Sequence, residues 1–206
     1  MDIQVWSDVV CPWCYIGKRR LENAVTAAGG DVTVTYRAYQ LDPDPVPMTE
    51  KVGGPEEHAE QIFAQVTAIA AGEGLTLNFD RVVAADSFAA HRLVAWAQTQ
   101  DRQADMLDAL HVAHFTDGVD IGAPGALAAL ASYIGLDGDA ALDYLESGAG
   151  EAAVRTDLAA AQEFGITGVP TLVIDGKFVI QGAQETPTLL AAFEEIARRE
   201  AAEASA

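Results

Sequence analysis

Cysteine is nearly absent: the 206-residue chain has two, Cys11 and Cys14, in the segment Cys11-Pro12-Trp13-Cys14. Two thiolates do not complete a tetrahedral metal site, and with no second pair metal is the weaker reading of the two. Basic residues are also scarce, with 12 Lys and Arg against 31 Asp and Glu and a net charge of −19. A field of that sign repels phosphate backbones and anionic bilayers, which argues against nucleic acid and against membrane surfaces as partners. The acidic residues are dispersed, as on solvated helix faces, and favour solubility. Half of the residues are apolar, yet no run is long enough to span a bilayer, so a soluble globular protein is expected. The start, Met1 to Trp6, lacks the basic stretch and apolar run of a signal peptide, so a cytoplasmic setting is expected. A reducing compartment rarely keeps a structural disulfide, which turns a close cysteine pair towards redox chemistry.

What is present is a strand-rich pair of ends around a helical middle. Residues 3 to 8 alternate as a short strand, and a helix is expected from about Pro12, since proline suits a first turn. Cys14, Gly17, Leu21, Ala24 and Ala28 recur at steps of three and four and define its buried stripe, which Gly29-Gly30 ends. Val32 to Tyr39 alternates and is rich in β-branched and aromatic residues, giving a second strand. Prolines 43, 45 and 47 and then Gly53-Gly54-Pro55 break regular structure. About a hundred helical residues follow. Ile62, Phe63, Val66, Ile69 and Ala70 share one face, Ser87 caps a helix through His91 and Trp96, another runs from Arg102 to Phe115, Pro124 opens a third, and Glu151 to Phe164 closes the block. Strand character returns at 170–174 and 177–180 around Asp175-Gly176, a strong hairpin signal. A last helix is expected from Thr186 to Arg199, with fraying from Glu200. Strands at both ends of the chain imply one sheet interrupted by a helical insertion.

The placement of the cysteines matters more than their spacing. Cys11 falls at the helix start, where free N–H groups and the helix dipole stabilise a thiolate; such sites lower a thiol from roughly 8.5 into the range of about 3.5 to 7.5. Cys14 falls on the buried stripe and is expected to keep its proton. In that division Cys11 exchanges with substrate and Cys14 resolves the mixed disulfide. The plainer alternative is two core cysteines that never bond. Further on, Gly168-Val169-Pro170-Thr171 enters a strand. Read alone, Pro170 is an ordinary trans proline at a strand start. With Cys-x-x-Cys upstream, a cis Val169–Pro170 bond is expected, leaving backbone groups of Val169 free to pair with an extended peptide.

Asp8-Val9-Val10-Cys11-Pro12-Trp13-Cys14-Tyr15-Ile16-Gly17-Lys18 resembles the active-site segment of the DsbA family, in its cytoplasmic FrnE-like branch. Ser87-Phe88-Ala89-Ala90-His91-Arg92-Leu93 is similar to the insertion motif of that branch. Residues 165–171 and Gln181-Gly182-Ala183-Gln184 resemble its cis-proline loop and the segment after the hairpin. The resemblance implies an α/β, thioredoxin-like fold interrupted by an all-helical insertion domain. Its expected parts are 1–44 and 151–206 for the thioredoxin-like domain and 45–150 for the insertion. It further implies Cys11 and Cys14 as the catalytic pair, supported by Pro12, Trp13 and His91, with Val169 and Pro170 binding substrate. No cofactor is implied. Some members carry further cysteines; this chain has none, so a second disulfide relay is excluded and the electron donor or acceptor must come from outside the chain.

Other residues carry weaker signals. His91 is placed over the redox centre by the resemblance, to contact substrate or to tune Cys11, although such histidines are more often structural. His111 and His114, near Asp108 and Asp117, lack a recognised metal-binding spacing. Lys18, Arg19 and Arg20 read as a solvated basic face, Trp6 and Trp13 as borders of a groove, and Trp96 as core. Three functions compete. The first is thiol–disulfide exchange with protein or low-molecular-weight thiol substrates. The second is glutathione-dependent isomerisation of aromatic carboxylates, as in 2-hydroxychromene-2-carboxylate isomerases, which has no need of a resolving thiol. The third is a chaperone-like binding module. The insertion helices also offer apolar faces for a homodimer.

Overall fold

The computed structural model describes residues 1–204. Strand β1 (Asp2–Ser7) leads through a short loop into helix α1 (Pro12–Ala28), and strand β2 (Thr33–Ala38) returns beside β1. The insertion follows as α2 (Met48–Val52), α3 (Glu56–Gly72), α4 (Phe88–Gln98), α5 (Gln103–Val112), α6 (Pro124–Tyr133) and α7 (Gly138–Glu146). Helix α8 (Glu151–Glu163), strands β3 (Thr171–Ile174) and β4 (Phe178–Gln181) and helix α9 (Thr186–Ala204) complete the chain. The sheet order is β2-β1-β3-β4, with β1 parallel to β2 and the other pairs antiparallel. This is the thioredoxin-like fold with a helical insertion that the motifs implied.

The register explains how the sheet is covered on both sides. Ile3 lies opposite Ile174 and Val5 opposite Leu172; all four are buried with Leu21 and Ala24 of α1 and Leu189, Phe193 and Ile196 of α9. Because strand side chains alternate, Trp6 and Val173 point the other way, into a cluster with Ala161 of α8 and Ile166. Trp6 is therefore 1% exposed and its indole N–H donates to the Asp157 carbonyl at 3.0 Å. It borders no groove, contrary to expectation. The larger apolar cluster runs on from the sheet into Leu93 of α4, Met106 and Leu110 of α5 and Leu127 of α6. The insertion is thus packed directly against the layer that holds the cysteines.

Several local expectations are corrected by packing. Ala28 is exposed, so the stripe of α1 ends at Ala24. Ser87 has helical backbone angles (φ −80, ψ −3) and makes no capping bond; Asp86 Oδ1 instead accepts from the Phe88 N–H at 2.9 Å. The helix expected from Arg102 to Phe115 is α-helical only to Val112 and then widens into a π turn, Ala113–Asp117. Trp96 is half-buried, against the Tyr144 ring. Helix α9 continues past Glu200, with Glu200 and Glu203 facing Lys177 at 3.9 and 3.5 Å. The Asp175-Gly176 hairpin forms as expected, both residues having positive φ (51 and 67).

Candidate active site

Cys11 is the N-cap residue of α1, with extended backbone (φ −99, ψ 115) and Pro12 beginning the helix. Its own N–H donates to the Asp8 carbonyl at 3.1 Å, while its carbonyl accepts from the Cys14 and Tyr15 amides at 3.0 and 3.3 Å. The thiol thus sits over the unsatisfied first turn of a helix, a positive end. Cys11 and Cys14 are 5% and 2% exposed and carry no disulfide. Their acidities separate. The Cys14 thiol beside Cys11, helped by the amides of Cys14 and Trp13, lowers Cys11 against burial and the Asp8 charge. Burial, and then the neighbouring Cys11 sulfur, push Cys14 well up. One sulfur is prepared to be a thiolate and the other to hold its proton.

The opposite wall comes from far along the chain. The Val169–Pro170 peptide is cis, as the combination of motifs led us to expect. The Val169 carbonyl lies 3.9 Å from Cys11 Sγ and accepts its weak thiol hydrogen bond. The loop is anchored by Thr171 Oγ1 donating to the Gly168 carbonyl at 2.7 Å and by the Gly182 N–H donating to the Pro170 carbonyl at 2.8 Å. Gly17 explains how α1 can approach so closely. A Cβ there would stand 2.9 Å from Pro170 Cγ and 3.4 Å from Ala183 Cβ. Trp13 is 38% exposed at the outer edge of the first turn, beside the thiols, and Val169 is half-buried.

Behind the cysteines lies a residue to which the sequence reading assigned no role. Asp8 is 0% exposed. Its Oδ2 accepts from the Leu41 N–H at 2.8 Å, and its Oδ1 accepts from the Val10 N–H at 3.4 Å and from His91 Nε2 at 3.3 Å. Burial alone would raise its pKa; the His91 hydrogen bond and charge and the Leu41 amide outweigh this and hold the carboxyl below its ordinary value. The available signal was an acid three residues before Cys11, at the end of a strand. His91, on α4, is 4% exposed and faces this carboxylate.

The remaining candidates are structural in this fold. Lys18 is 2% exposed, its ammonium held between Glu22 and Asp108, the latter at 2.7 Å. Arg20 pairs with Glu73 at 2.6 Å and donates to the Ala183 carbonyl at 2.7 Å. The expected solvated basic face is instead a set of ties from α1 to α3, α5 and the loop after β4. His111 stacks on Tyr15 with centroids 4.7 Å apart, and neither it nor His114 has a hydrogen-bond partner. Among the described residues no cluster of three or more metal-ligating side chains occurs, and no helix is long and apolar enough to cross a membrane.

A dithiol pair at a helix start, faced by a cis proline across the sheet, defines a thioredoxin-fold protein of the dithiol type. Residues 2–194 match the family model described as a DSBA-like thioredoxin domain, and the chain belongs to that family. It is 32% identical over 193 residues to the uncharacterized protein YwbO of Bacillus subtilis, covering 89% of this chain and 90% of that one. The crystal structure of a probable DsbA oxidoreductase, SCO1869 from Streptomyces coelicolor, superposes with a TM-score of 0.86 at 31% identity, over 95% and 89% of the two chains. Two further structures share the fold at lower identity. A 2-hydroxychromene-2-carboxylate isomerase gives a TM-score of 0.76 at 20% identity, over 98% of each chain. The cytosolic disulfide reductase DsbM from Pseudomonas aeruginosa gives 0.73 at 23% identity, over 96% and 99%.

Proposed function

We propose that this protein is a thiol–disulfide oxidoreductase working through Cys11 and Cys14 on protein or low-molecular-weight thiol substrates in the cytoplasm. The observation that carries the reading is the asymmetric setting of the pair: Cys11 caps the start of α1 beside the Val169 carbonyl, and Cys14 lies one turn in, where burial pushes its thiol up. With a disulfide substrate, the Cys11 thiolate attacks one sulfur, forming a mixed disulfide and releasing the other substrate sulfur as thiolate. Cys14 then loses its proton to solvent and attacks Cys11 Sγ, and the second substrate thiolate departs. The substrate gains two electrons and the chain holds a Cys11–Cys14 disulfide; an external thiol reverses this. Val169, whose carbonyl lies beside Cys11, would bind an extended substrate through its backbone with Pro170 shaping the loop. Pro12 starts the helix that supplies the N–H groups.

Retention of Cys14 at a buried, high-pKa position favours exchange over isomerisation, which needs no resolving thiol. The test uses reduced protein and limiting iodoacetamide at neutral pH, followed by insulin reduction. Alkylation is expected on Cys11 and not on Cys14. The Cys11→Ser variant should lose insulin reduction, and Cys14→Ser should accumulate a mixed disulfide. Full activity of Cys11→Ser would refute the reading. Glutathione-stimulated isomerase turnover by Cys14→Ser would replace it with the isomerase.

A further inference from the structure

We propose that the buried Asp8–His91 pair is a positioning device by which the helical insertion governs the charge behind Cys11, and hence its nucleophile; this rests on the function proposed above. Asp8 cannot move independently of the nucleophile. Its carbonyl accepts the Cys11 N–H, and its carboxylate is fixed by the Leu41 and Val10 amides. A buried anion at that place opposes a thiolate on Cys11, in a low-dielectric setting where such opposition is strong. The partner positioned to offset it is His91, at 3.3 Å.

The other charged groups around the pair leave that assignment in place. Asp157 of α8, which shares a cavity lining with His91, is already engaged by Arg37 of β2 at 3.4 Å and by the Ala38 N–H at 3.0 Å. Burial keeps His111 of α5 and His114 of the π turn neutral near neutral pH, so neither supplies a competing cation. Lys18 is committed to Glu22 and Asp108. Ser87, packed against Asp8, brings no charge. A small cavity of about 20 Å³ adjoins His91, with Asp157 and Arg37 as well as Val94 and Leu107 in its lining. The hydrogen bond of the His91 imidazole is thereby made to Asp8, the carboxylate nearest the redox pair. Since His91 belongs to the insertion and Asp8 to the loop before α1, the acidity of the nucleophile depends on how the two parts dock.

The experiment follows the Cys11 thiolate in reduced protein by its ultraviolet absorbance and by alkylation rate against pH. It compares wild type, Asp8→Asn, His91→Gln and the double variant. Removing the anion should lower the Cys11 midpoint by about one pH unit, and removing its partner should raise it by a similar amount. The double variant, lacking both members of the pair, should return close to wild type. Asp8→Asn is nearly isosteric and carries the test if His91→Gln does not fold. A merely structural role would lower the melting temperature of the single variants and leave the midpoints where they were. Unmoved midpoints, or single variants shifting in the same direction, would overturn the inference while leaving disulfide exchange intact. Undiminished exchange by Cys11→Ser would instead remove the underlying function.

Discussion

Acid should weaken this protein through histidines that the fold keeps from taking up protons. His114 is 1% exposed and neither ring nitrogen has a hydrogen-bond partner. Burial pulls it from the ordinary 6.5 down to about 4, with Lys51 acting in the same direction and Asp8 and Asp120 against it. The unfolded chain therefore takes up a proton near pH 6.5 that the folded chain refuses until about pH 4. Stability from this group is complete above the unfolded value and drains as the pH falls through that window. At roughly 1.4 kcal/mol per pH unit, the gap amounts to about 3 kcal/mol. His111, fully buried and close to Lys18, is pushed further the same way and adds to the loss. A His114→Leu variant isolates the effect, because carboxylate titrations occur in both proteins and cancel. Urea unfolding of the reduced proteins at a series of pH values is the assay. Wild type should lose about 3 kcal/mol more than the variant between about pH 7 and pH 4. Parallel stability curves would refute the reasoning.

Two other substitutions test the packing that holds the site. Gly17→Ala should destabilise by about 1 to 3 kcal/mol despite alanine's better helix propensity, because the new methyl meets Pro170 Cγ at 2.9 Å. Its exchange rate with a small disulfide should fall as the Pro170 loop is pushed back, which stopped-flow kinetics would measure. Arg92 is 7% exposed and donates to the carbonyls of Tyr144, Leu145 and Ala149 at 3.0, 2.8 and 2.8 Å, tying α4 to the end of α7. Arg92→Leu strips three carbonyls of a charged donor and should cost about 3 kcal/mol or more in urea unfolding. Arg92→Lys should recover only part of that, since an ammonium lacks the guanidinium fork.

The sequence by itself determined what depends on neighbours a few residues apart. Pro12 after Cys11 marks a helix start, the Cys14–Leu21–Ala24 spacing marks its buried side, and Asp175-Gly176 turns the hairpin. Periodicity, capping and turn chemistry all act within one or two turns of chain, so these elements were legible. The side chains whose settings were misread or passed over are those decided by distant segments. Lys18 looked solvated until α5 brought Asp108 to it, and Trp6 looked like a groove border until α8 covered its face of the sheet. Asp8 showed locally only as an acid three residues before Cys11, because its partner His91 lies 83 residues away on the insertion. The redox pair was visible as two cysteines at a helix start; only the tertiary structure brought the Val169 carbonyl from 158 residues away to one side of Cys11 and a buried charge pair behind it.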